Sequence, residues 1–202
     1  MMNRLIFTAV IGFSLAAPAF AQMPGGAQQG QQAPPTTAAF VRNMYNGNKN
    51  NIIRSAEKMP EDLYGLRPGT QEEVRTFGQH LAHVANFNFL WCSQAKGEKN
   101  PSQGVNLEKT LHTKAEFQKA LADSFAYCDP AYMSLTDETG AQVVEIQQEN
   151  GRTTRNTRMA LLMLNVAHNN ELYGNIVTTL RIKNIVPPSS EPRPAAPAAQ
   201  QR

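Results

Sequence analysis

The sequence predicts an all-α domain built on four long helices, with one long connection in its middle. Three observations carry this. Between Met159 and Ile182, the side chains Met159, Leu162, Val166, Tyr173, Ile176, Val177 and Leu180 recur at helical spacing and form one apolar stripe. Val74, Phe77, Leu81, Val84, Phe87 and Trp91 form a second stripe of the same period. Between that stripe and the next helical stretch lies Lys96–Asn106, a polar segment whose extended reach is roughly 36–40 Å. A helix of about 20 residues is only about 30 Å long. The segment can therefore return along a whole helix, so that helices two and three run parallel.

The two chain ends read differently from the middle. Arg4, the apolar run Leu5 to Ala19 and the Ala19-Phe20-Ala21 site make residues 1–21 a signal peptide, which predicts a periplasmic or secreted protein beginning at Gln22. That run is too short for a spanning helix, so no transmembrane segment is expected in the mature chain. Residues 22–37 (QMPGGAQQGQQAPPTT) have almost nothing to bury and read as a disordered linker. Residues 189–202 read as a tail of the same kind, leaving 38–188 as the folded domain. The formal charge of +3 over 202 residues, with no dense Lys/Arg run, excludes a nucleic-acid partner.

Within the domain, a first helix is expected over Ala38–Met59, facing inward through Phe40, Val41, Met44, Ile52, Ile53, Ala56 and Met59. The run Asn46-Gly47-Asn48-Lys49-Asn50-Asn51 in its middle is poor helix material and predicts a fray or kink. Thr70-Gln71-Glu72-Glu73 has the form of a capping box and sets the expected start of the second helix, which runs to Ala95. The third helix is expected over Leu107–Tyr127, with Leu111, Phe117, Leu121, Ser124 and Phe125 inward and His112 facing solvent. Asp129-Pro130 resembles an N-cap followed by a first-turn proline, which points to a further short helix. Residues 128–156 carry little other signal. The last helix ends on Arg181 and Lys183, which suit a helix C-terminus, and on Pro187-Pro188, which cannot continue it.

Cys92 and Cys128 are the only cysteines. Both fall near the C-terminal ends of their helices, and those ends are neighbours if helices two and three run parallel. In an oxidising compartment this predicts a disulfide. The alternative, a redox or nucleophilic pair, has no C-x-x-C spacing behind it.

The segment His168-Asn169-Asn170-Glu171-Leu172-Tyr173-Gly174, with Ile185-Val186-Pro187-Pro188-Ser189-Ser190 after it, resembles the last helix of the DinB-like family. The stretch Met59-Pro60-Glu61, Arg67-Pro68, Glu73-Val74-Arg75-Thr76-Phe77 and Leu81-Ala82-His83-Val84 resembles the same family's first-to-second-helix segment. The resemblance implies a DinB-like four-helix bundle with a crossover connection between helices two and three. It also implies a divalent metal, zinc or nickel, held by one histidine of the second helix and two histidines one turn apart on the last. Here His83 and His168 match. Leu172 stands in the third position and cannot ligate.

His80 shares a helix face with His83 and is the candidate substitute. Two functional readings stay open. One is a binding or structural module of unassigned role, with His83 and His168 hydrogen-bonded in a metal-free cleft and no cofactor. The other is a metal-dependent transferase or hydrolase using His83, His168 and either His80 or solvent. The partner classes are a small molecule or thiol and, as a homodimer, a second copy of the chain.

Overall fold

A computed structural model describes residues 35–147 and 151–192. The signal peptide, the linker up to residue 34 and the tail from residue 193 lie outside the described residues. Thr37, expected in the linker, opens α1; of the expected tail, Ser189 bonds Tyr173 and Glu191 pairs with Arg54 and Lys58. Four long helices form the bundle: α1 (Thr37–Lys58), α2 (Phe77–Lys96), α4 (Lys114–Met133) and α6 (Arg158–Ile182). Two one-turn helices, α3 (Leu107–Thr110) and α5 (Asp137–Gly140), and an antiparallel hairpin, β1 (Val143–Gln147) with β2 (Thr153–Thr157), lie between them. No helix among the described residues is long and apolar enough to cross a membrane.

Contacts fix the direction of every helix. The α1 residues Tyr45 and Ala56 meet Phe125 and Gln118 of α4, so these two are antiparallel. Along α2 and α4, Asn88 meets Ser124 and Cys92 meets Cys128, so these two are parallel. Arg158 at the start of α6 donates to Ala95 near the end of α2, which makes that pair antiparallel. Asn48 in α1 donates to Val166 in α6, and Arg54 and Lys58 reach Glu191 beyond its end, so α1 and α6 are parallel. The topology is up-down-down-up, and residues 97–113 make the crossover. Gly97, at φ 68°, ends α2 in the left-handed conformation and starts the return. Gly78 lets α2 and α4 approach: a Cβ there would lie 2.6 Å from the Phe117 ring.

The fully buried side chains Tyr45, Ile52, Phe77, Leu81, Leu121, Phe125, Leu162 and Ile176 come from all four long helices and form one core. A polar layer crosses it. Asn88 Oδ1 accepts from the amides of Asn165 (2.8 Å) and Asn169 (2.9 Å), and Asn88 Nδ2 donates to Ser124 Oγ (3.1 Å). Tyr132 Oη donates to Asn165 Oδ1 at 2.7 Å. One helical turn from Asn88 and Ser124, Cys92 and Cys128 form the expected disulfide, with Cα atoms 5.3 Å apart and both residues fully buried.

Several local expectations are corrected. The first helix runs through its Asn-Gly stretch without a break, because Asn48 is buried and bonded to α6 and outweighs the weak local propensity. Phe40 faces solvent, at 64% exposure. The second helix begins at Phe77, not after Thr70. Arg67 binds the carbonyls of Glu72 and Val74, and Gly78 N–H donates to Tyr64, so the backbone there is committed to a turn. The capping box is Thr76 with Gln79.

The third helix is split at Leu111–Thr113, because a second capping box, Thr113 with Glu116, restarts the chain as α4. Asp129-Pro130 starts no helix; α4 continues through it. The Asp129 carboxylate is taken by Tyr45 (2.8 Å) and Lys49 (2.7 Å), which leaves none for capping. The hairpin within 143–157 carried no readable signal, since β2 reads Thr-Thr-Arg-Asn-Thr and alternates nothing apolar.

Candidate functional site

The site lies where α2 faces α6. His83, Phe87 and Trp91 recur every fourth residue along one row of α2 and meet His168 from α6. Ring centroids are 4.6 Å apart for His83–Phe87, 4.5 Å for Phe87–His168 and 4.9 Å for Trp91–His168, the last edge-on. The two imidazoles are 5.0 Å apart. The structure thus brings His83 and His168 together. His80 is buried, with its Nδ1 3.0 Å from the Thr76 carbonyl at the start of its own helix, and it joins no metal-holding group with them among the described residues. Leu172, one turn beyond His168, is 4% exposed and packs in the core.

Glu108 completes the cluster, and sequence reasoning missed it. Placed in a long third helix, it would have been one more solvated carboxylate. The break after α3 instead sets it against α2. Its Oε1 lies 2.5 Å from His83 Nδ1 and its Oε2 2.7 Å from Arg75 Nε. The side chains of His83 and Glu108 are only 13% and 18% exposed. Burial alone would raise the Glu108 pKa; the hydrogen bonds from His83 and Arg75 outweigh it and hold the carboxyl below its usual range. A cavity of about 420 Å³ opens beside Glu108, lined also by Thr76, Gln79, His112 and Phe117. The larger cavity, about 800 Å³, lies away from the histidines, between Leu90, Gln94, Gln103 and β1 residues Glu145–Gln147.

His168 differs from His83. Burial, reinforced by the charges of His83 and Arg75, pushes its pKa down to about 4. Its Nδ1 is buried and has no hydrogen-bond partner; the Asn169 side chain lies close enough to favour the protonated ring slightly, without an aligned bond. Burial also lowers the pKa of His80, against the pull of its bond to Thr76.

The sequence profile of the DinB superfamily matches residues 45–171. The chain belongs to the DinB superfamily. Among solved structures, a conserved protein from Enterococcus faecalis has a similar fold, with a TM-score of 0.56 and 12% identity over 73% of this chain and 97% of that one. No curated protein matches.

The donors present do not fit the three-imidazole centre that the DinB-like resemblance implies. Two histidines meet, and the third position holds a core leucine. No group of three or more histidine, cysteine or carboxylate side chains able to hold a metal ion occurs among the described residues.

Proposed function

We propose that this protein is an exported DinB-superfamily module that acts by binding, with the His83–His168 pair free of metal. The observation that carries this reading is the fate of the third ligand: Leu172 is packed in the core, and no group of three or more histidine, cysteine or carboxylate side chains able to hold a metal occurs among the described residues. Two imidazoles in half-buried aromatic surroundings make a weak metal site but a sound recognition surface. They offer a ring nitrogen and the faces of Phe87 and Trp91 to a small molecule or a thiol. Export is supported by the basic start, apolar run and Ala19-Phe20-Ala21 site, and a buried disulfide suits an oxidising compartment.

A second reading has one observation in its favour. A carboxylate on His83 Nδ1 is the arrangement that orients a metal-ligating imidazole through its other nitrogen, and His168 Nδ1 lacks a partner. In that reading the protein is a metal-dependent transferase or hydrolase. Elemental analysis of protein purified without a histidine tag separates the two. The binding reading expects far less than one zinc or nickel per chain after gel filtration. One equivalent retained through that step overturns it.

A further inference from the structure

The crossover has little apolar surface with which to hold itself in place. Of its apolar side chains, Val105 is half-exposed, and only Leu107 and Leu111 reach the core, each in part. Its two ends are tied to α4, where Tyr127 donates to Glu98 and Glu116 accepts from His112 and Thr113. Its middle packs on α2 through the single turn of α3. Three side chains, two in the first half of α2 and one just before it, grip that turn. Arg75 and His83 share the Glu108 carboxylate, and Asn86, three residues after His83, accepts from the Leu107 N–H at 3.3 Å. Asn106 caps the turn and presents Glu108 at the required angle.

We propose that Arg75, His83 and Glu108 form a latch that fastens the crossover to α2, and that His83 serves this chain as the anchor of the latch, not as a metal ligand. A carboxylate that accepts from both a guanidinium and an imidazole at low exposure is a strong, directional tie. It also covers one side of His83, beside the histidine pair, with the protein's own chain. Release of Glu108 would free the α3 turn and bare His83 together. This inference rests on the metal-free reading above.

Hydrogen exchange on the full mature chain tests it, in chelator and again with zinc added. Glu108→Ala should speed exchange of amides in the α3 turn by about tenfold, the loss expected for a charge-assisted tie, and leave α4 and α6 unchanged. Glu108→Gln, which keeps the shape, should show a smaller rise in the same segment. His83→Ala combined with Glu108→Ala should exchange no faster than Glu108→Ala alone, because the two act as one contact. Unchanged exchange in Glu108→Ala overturns the latch and leaves the metal-free reading standing. Protection of the α3 turn in the wild type that appears only with zinc overturns both.

Discussion

Two polar regions share α2 and α6 and behave in opposite ways. In the asparagine layer, Asn88, Ser124, Asn165 and Tyr132 are fully buried, and each is bonded to another member of the layer. In the histidine cluster, side chains are half-buried, and His168 keeps a ring nitrogen with no partner. The only buried side-chain atoms among the described residues without a partner are His168 Nδ1 and Asn169 Oδ1, at the junction of the two regions. A buried polar group with its partners supplied inside the chain specifies the fold; one left open is where an outside group has something to gain. The layer is therefore the frame and the cluster the working surface.

The sharpest way to break that contrast is to strip the layer. Asn88→Ala leaves the buried amides of Asn165 and Asn169 without their acceptor and Ser124 Oγ with only its bond to the Leu121 carbonyl. Chemical denaturation should show a loss of about 3–5 kcal/mol. A loss below about 1 kcal/mol would mean the layer is not structural.

The disulfide beside the layer comes next. Replacing Cys92 and Cys128 by serine should cost about 2–4 kcal/mol, since the bridge restrains the unfolded chain across 36 residues. Thiol titration of the denatured wild type should find no free thiol, and two reactive thiols would remove the bridge from the account.

Acid should weaken the cluster before the layer. The folded-state pKa of His168 is about 4, and that of His80 is also lowered, both below the ordinary histidine value near 6.5. The unfolded chain therefore binds more protons between these limits, and stability falls as pH drops from about 6.5 towards 4. His168→Phe should flatten that part of the melting-temperature profile. At neutral pH the same variant should change stability by no more than about 1 kcal/mol, and towards gain, because an apolar ring removes an unpaired buried nitrogen. An unaltered acid profile in His168→Phe would place the titrating group elsewhere.

What was legible in the sequence follows the same division. Periodic stripes exposed α2 and α6, and the crossover length together with two helix-end cysteines pointed to parallel helices two and three. Those signals are repeated many times along the chain. The layer was not legible, since an asparagine at position 88 or 165 looks like any polar residue until its partners arrive from other helices. The start of α2 was misplaced because Arg67 reaches forward to two carbonyls, a contact that no local motif records. Glu108 was missed for the same reason. Its role depends on a helix break, which in turn depends on Thr113 outcompeting the continuation of α3. His83 and His168 were found through resemblance, and the structure brings them together. The partners that decide what they do, Glu108 on one and none on the other, lay beyond it.

The central claim, that the histidine pair lacks its third ligand because Leu172 belongs to the core, is tested most directly by supplying that ligand. Thermal melts of the wild type and Leu172→His would be compared in chelator and with zinc or nickel. Without metal the variant should melt lower, since a polar ring replaces a buried apolar side chain. With metal at about 100 times its dissociation constant it should recover roughly 2.7 kcal/mol, while the wild type stays unmoved. A wild type whose melting temperature rises with metal, and loses that rise in His80→Ala, would contradict the account and make His80 the missing ligand.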